Sequence, residues 1–320
     1  MIPTNELRSG QPPFSFGLRK DISTLPSAAR PHEVDLHGGF AIDTRDGYGQ
    51  IYYGMPGCGL MRIESDLGSQ EIIALPDELR RLNLLGTTLG QFDGAWLLFL
   101  PANNDEFVAV LTLDGQVDFV LPRPTFAEYQ DATVPYKPTD TVFVDDKLYV
   151  ADGYGANYIS TADVHTQSWS GIFGGKTEDP LEDGKFATAH GINQNPVHHH
   201  LDIADRPSSR IQAHAHDGRF LSSHALPTGA FVCGISYADY NGRWYAAIGC
   251  LRDPQEGRPA PIYIIDATSY ELLSTIRPKE ELGVDEAQHI HNVALHVDRG
   301  ELFLVCQTWN PGRYFVLQAE

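Results

Sequence analysis

The feature that most constrains this chain is a unit that occurs twice between Lys137 and Pro227. The first copy reads KPTDTVFVDDKLYVADGYGANYISTADVHTQSWSGIFGG and the second KFATAHGINQNPVHHHLDIADRPSSRIQAHAHDGRFLSSHALP. Each opens on a small polar or His-bearing turn (Thr139-Asp140; Ala189-His190-Gly191). A strand, a turn and a second strand ending in Ala-Asp follow (Ala151-Asp152; Ala204-Asp205), then two further strands. A repeat of about 45 residues with four short strands is the period of a propeller blade. Adjacent strands are antiparallel, so the start of strand one and the end of strand two share a rim. Strand one lines the central channel. Asp140, Asp152, Tyr154, His190, Asp205 and Arg206 are therefore expected around one mouth of one channel. Asp152 and Asp205 have an equally good reading as turn caps.

The same unit, more loosely written, fills the rest of the chain. A first blade starts near Val34, a second runs from Leu84 to Pro122, and a fifth spans Phe231 to Pro278. A sixth begins at Ala287 and stops after its third strand, Tyr314–Leu317. Propellers hide their edges, so the missing strand is expected from Phe14–Leu18 near the N-terminus. The expected fold is all-β, one six-bladed propeller of antiparallel four-stranded blades in a single domain over 1–320. Only Asp77–Leu82 and Lys279–Leu282 offer a helical turn.

Three blades place His at the same point of strand one: His37, His190 and His291, with His289 two residues before the last and on the same side of an extended chain. Neutral imidazoles from separate channel walls can hold a divalent transition metal and leave a position open for water or substrate. The alternative is that each bonds nearby backbone. Zinc is the first expectation, with iron, manganese and nickel also compatible with imidazole. The run His198–His200 falls in a turn at the opposite rim and reads as solvated. Tyr154 is placed to move a proton. Arg206 can grip a substrate carboxylate or bridge to Asp152 or Asp205.

These segments carry a resemblance. KPTDTVFVDDKLYVADGYG, GKFATAHGINQ and ADRPSSRIQ resemble the corresponding parts of NHL-repeat propellers, above all the catalytic core of peptidyl-α-hydroxyglycine α-amidating lyase. The resemblance covers roughly 135–320. It implies a six-bladed propeller with a three-histidine zinc site and a channel calcium. It implies His190 and His291 as metal ligands, Tyr154 as the catalytic tyrosine and Arg206 as a substrate-side arginine. The chain departs from that pattern at Leu84–Thr88, where the family's second-blade His is missing, and at Asn292, where the family has Asp. His37 or His289 would then be the third ligand. The family's bridged cysteines are Gly155, Ile203 and Ala213 here.

The resulting expectation is a metal-dependent lyase-type enzyme acting on a small polar molecule at the channel mouth. A lactonase-like hydrolase and a non-enzymatic, protein-binding propeller are the alternatives. The net charge of -19 offers no basic face for nucleic acid. No apolar run reaches the length of a membrane span. The four cysteines show no paired short spacing and read as reduced core thiols, which, with no signal peptide visible, makes a cytoplasmic location the expectation.

Overall fold

The computed structural model describes residues 7–320. Residues 1–6 of the expected domain lie outside the described residues. The chain is an all-β, six-bladed propeller; five blades have four antiparallel strands in sequence order from the channel outwards, and the sixth has three such strands completed from the N-terminus. The innermost strands are Ala41–Ile42, Thr88–Phe92, Asp140–Val144, Ala189–Gln194, Val232–Tyr240 and Ile290–Asp298. Each packs on the next around the ring, and the last returns to the first. Helix is confined to short pieces, among them the 3-10 segment Arg30–Asp35, Asp77–Arg80 and Pro278–Leu282.

Burial follows strand position. The second strand of blade four, Leu201–Asp205, is buried throughout, whereas its outermost strand, Phe220–Ala225, alternates half-buried and exposed residues. Middle strands sit between two neighbouring blades and are buried on both faces, so that even Asp202 and Asp205 are enclosed. Outer strands meet solvent on one face and alternate.

Ring closure joins the two ends of the chain. Phe14–Leu18 pairs antiparallel with Tyr314–Ala319, in the register Phe16↔Ala319, Gly17↔Gln318 and Leu18↔Leu317. It is the fourth strand of blade six. Phe14 and Phe16 are buried, and the Phe14 ring meets Tyr245 edge-on at 4.7 Å between centroids. Burying each phenylalanine is worth about 1.5–3 kcal/mol. A further strand, Ser9–Gln11, folds back on Phe14–Leu18 and covers the edge. It is tied to blade five, where the Gln11 amide donates to Ser274 Oγ at 2.9 Å.

Register also accounts for the rim. Asp140 faces Ala151, and Ala189 faces Asp205. The start of strand one and the loop after strand two thus lie together.

Candidate functional site at the channel mouth

Three inner strands are irregular at one place. In blade four the pairing slips between Ala189 and Gly191, and in blade six between Ile290 and Asn292. In blade five it slips between Val232 and Ile235. The residues at these bulges are His190, His291 and the pair Cys233-Gly234. A β-bulge re-aims the side chain it carries, and here it turns the side chains towards the mouth. Glycine after the histidine has a steric reason. A Cβ on Gly191 would lie 2.3 Å from the Cys233 carbonyl oxygen, and one on Gly38 would lie 2.5 Å from that of Gly54. Inner strands approach backbone to backbone, and only glycine permits it.

His37, His190 and His291 are brought together. The ring centroids of His37 and His291 are 4.2 Å apart, and those of His190 and His291 4.9 Å. His289 is not part of this group. Its Nδ1 lies 2.6 Å from the Leu251 carbonyl oxygen, and its ring faces Trp309. Asn292 fixes the His291 imidazole and joins blade six to the start of blade one. Its side-chain amide donates to His291 Nδ1 at 2.7 Å and to the Gly38 carbonyl at 3.0 Å.

Tyr154 and Arg206 reach the same place from the loops after strand two. Asp152 is fully buried and holds the first loop by accepting from the amides of Lys137 and Ala156 and from the Tyr129 hydroxyl. Asp205 accepts from the amides of Ala187 and Thr188 and from Arg210 Nε. Both aspartates thus hold turns, and neither pairs with Arg206. The guanidinium instead donates through Nη1 to the Tyr154 oxygen at 2.9 Å and through Nη2 to Cys233 Sγ at 3.3 Å. The Tyr154 hydroxyl lies 3.0 Å from His190 Nε2. A buried chain Cys233–Arg206–Tyr154–His190 results.

Burial sets the charges. Desolvation, reinforced by Arg206 and the neighbouring imidazoles, holds His190 and His291 well below the ordinary histidine range. Desolvation and Arg206 push His37 down to about 4. The three rings are therefore neutral at neutral pH. Burial raises the Tyr154 phenol, with Arg206 pulling the other way, so Tyr154 is a proton donor at rest.

His190 Nδ1 and His291 Nε2 are buried without a hydrogen-bond partner. The Asn83 and Asn292 amides donate to Nδ1 of His37 and His291, so each neutral ring carries its proton on Nε2 and presents no free lone pair to a metal as it stands. The positions do not form a ready ligand set: among the described residues, no three or more His, Cys, Asp or Glu side chains stand so that they could hold a metal ion. The partners of His37 and His291 are side-chain amides, Asn83 and Asn292. They are not the carbonyl or carboxylate acceptors that usually orient a metal-bound imidazole.

The sequence carried a signal for Cys233. Ala-His-Gly-Ile at 189–192, Ile-His-Asn-Val at 290–293 and Val-Cys-Gly-Ile at 232–235 are one register. Reading the cysteines only for pairing passes over it. All four cysteines are free and buried. A cavity of about 690 Å³ opens beside His37, between blades one, two and six, with Arg81, Asn83 and Trp309 on its walls. Inside the channel, Asp140 accepts from the amides of Thr141 and Ile192, while desolvation pushes its carboxyl up to about 7. Among the described residues no helix is long and apolar enough to cross a membrane.

No family model matches the sequence, and no curated protein matches it. The resemblance to the amidating lyases therefore rests on the local motifs alone. Solved structures do match. A gluconolactonase from Xanthomonas campestris aligns over 99% of this chain and 95% of its own, at 12% identity and TM-score 0.61. A chain of the nidogen/laminin complex aligns over 90% and 97%, at 15% identity and TM-score 0.56. The Cps50 (Swd1) β-propeller domain of Myceliophteria thermophila aligns over 88% and 82%, at 12% identity and TM-score 0.54. Identities this low establish a shared fold.

Proposed function

We propose that the chain is a hydrolase of small polar cyclic esters, lactonase-like, with its active site at the mouth where Tyr154, His190 and Arg206 meet. The observation that carries this reading is the buried chain in which a guanidinium donates to a phenol that in turn contacts a neutral imidazole. A phenol so placed can take a proton from an attacking water as it passes its own to His190. Arg206 stabilises the negative charge that develops on the phenol oxygen and on the carbonyl oxygen of the ester. Return of the proton to the departing alkoxide completes the reaction, leaving a hydroxy acid. Such proton transfer contributes about 10²–10⁴-fold.

His37, His190 and His291 are the residues that would have to hold a divalent transition metal, and as they stand they do not fit one, so no step of the proposal uses a metal. The proton steps above use the chain's own groups.

Hydrolysis is preferred to the lyase reaction for one reason. Similarity across the whole fold leads to a protein described as a gluconolactonase, whereas only short motifs lead to the lyases. The test is to assay the purified protein with neutral and acidic sugar lactones and, in parallel, with a peptidyl carbinolamide. Lactone turnover that disappears on His190→Ala supports the reading. Carbinolamide cleavage without lactone turnover reverts it to the lyase. Turnover of neither leaves the protein-binding propeller.

A further inference from the structure

We infer that the cavity beside His37 is a binding site for a hydroxylated, sugar-like molecule bearing a carboxylate, and that Arg81 is the residue that selects for the carboxylate. The inference deepens the lactonase reading, on which the position of the reacting ester rests.

The cavity is continuous with the histidine cluster. His37 is on its wall. The His37 ring also neighbours His291, and Trp309 stacks on His37 at 5.6 Å between centroids with 27° between planes. A ligand lying on Trp309 would thus end beside His37, the member of the histidine cluster that lines the cavity. The volume of about 690 Å³ suits a small molecule of monosaccharide or disaccharide size.

The wall chemistry narrows the ligand. An indole face offers apolar surface and a π-system, and the C–H face of a sugar ring is a natural complement. Asn83, Asn104 and Asp35 supply amide and carboxylate groups for hydroxyls. Asn83 has one of its two functions engaged, its amide on His37 Nδ1 at 3.0 Å, and its Oδ1 is buried without a partner. That oxygen needs a donor, and a ligand hydroxyl provides one.

Arg81 supplies the charge preference. It is exposed on the cavity wall, and its guanidinium makes no hydrogen bond or ion pair among the described residues. Nearby arginines behave otherwise: Arg80 pairs with Asp77 and Arg62 with Glu64 and Glu71. On a chain of net charge -19 an unpaired guanidinium facing a cavity is a local exception. It offers a fork matched to a carboxylate. Asp35, on the same wall, would repel the carboxylate, which places the acid end of the ligand towards Arg81 and its hydroxyls towards Asp35.

The experiment separates binding from turnover. Binding of glucuronate and glucose, which differ in a carboxylate, is measured calorimetrically on the wild-type chain and on Arg81→Gln. Hydrolysis of glucaro-1,4-lactone, which keeps a free carboxylate, is compared with that of neutral glucono-1,5-lactone. The wild type is expected to bind glucuronate about 10-fold or more tighter than glucose, the size of one charge-assisted hydrogen-bond pair. Arg81→Gln should erase that preference and raise KM for the acidic lactone relative to the neutral one by the same factor. A wild type without preference for glucuronate, or a preference that survives Arg81→Gln, overturns the inference. Preference lost in Arg81→Gln without hydrolysis of either lactone keeps the binding site and removes the lactonase reading.

Discussion

The propeller carries two groups of three histidines, one at the channel mouth and one between blades four and five, and they are built on opposite plans. At the mouth, His37, His190 and His291 converge with two ring nitrogens buried and unpartnered. In the second group, His198, His200 and His224 gather around Tyr270, with His224 stacked on the phenol ring at 3.6 Å. Here the contacts are made within the protein. His198 Nε2 meets the Thr268 carbonyl, His200 Nε2 meets Asp202 and the Tyr270 hydroxyl, and His224 Nε2 meets Ser222 Oγ. Beneath them Asp202, fully buried, accepts from Tyr237, Tyr270 and Asn195. Composition alone would rank the two groups alike. What distinguishes them is where the buried polar atoms find their partners: inside the fold in one case, and not inside it in the other.

The comparison can be broken by substitution in each group. The largest effect is expected from His190→Ala. Lactone turnover should fall to background, while circular dichroism stays that of a folded propeller. Full turnover in that variant would place the site elsewhere. Tyr154→Phe should come next, with turnover lowered about 100-fold. A parent-like rate would remove the phenol from the proton path.

At the second group the effect should be on stability. Asp202→Ala leaves the buried Tyr237 hydroxyl without its acceptor and takes one acceptor from Tyr270 and from Asn195, which keep His200 Nε2 and the Ala267 carbonyl. It should lower unfolding free energy by about 3 kcal/mol or more in a urea titration, while the folded fraction keeps its specific activity. Loss of activity in the folded fraction would erase the distinction between the two groups.

The smallest expected effect concerns Asp140, on the channel wall. Its carboxyl is raised from 3.8 to about 7 by desolvation. The folded state therefore binds that proton more tightly than the unfolded chain does. The stability this contributes is fully present below 3.8 and is lost as pH rises through about 7. Asp140→Asn, which resembles the protonated acid, should flatten the fall in melting temperature between about pH 5 and about pH 8. The gain at the upper end should be on the order of 1 kcal/mol, below the full shift because the residue is only half-buried. An unchanged pH profile would mean the carboxylate is ionised throughout.

Much of this was legible in the chain. The Ala-Asp endings of strand two and the His-Gly openings of strand one are local signals repeated at a fixed period, and they place Tyr154, His190 and Arg206 at one mouth. The strand Phe14–Leu18 follows from counting, because blade six ends one strand short. Other features depend on contacts between distant segments and left no periodic mark. The Ser9–Gln11 strand has only three residues, and its role is to cover an edge. His289 alternates correctly with His291, but the bulge at His291 changes the facing of what precedes it, and the Leu251 carbonyl takes its imidazole. The turn His198–His200 reads as solvated because its residues are polar. The tyrosine and aspartate that engage His200 come from strands that the turn alone does not reveal. Arg81 and Trp309 meet across one cavity from opposite ends of the sequence.

The strand Phe14–Leu18 has a consequence for biosynthesis. Its partner begins at Tyr314, and Phe16 pairs with Ala319, 303 positions later (319 minus 16). A ribosome releases the N-terminal segment early, when the strand it completes has not been made. Five blades can assemble while Phe14 and Phe16, two aromatic side chains bound for the core, wait with no partner strand. The ring closes only once Tyr314–Ala319 has been made. A strand made before every blade is thus used after the last of them, and during that interval it is an apolar strand free to pair with the wrong edge.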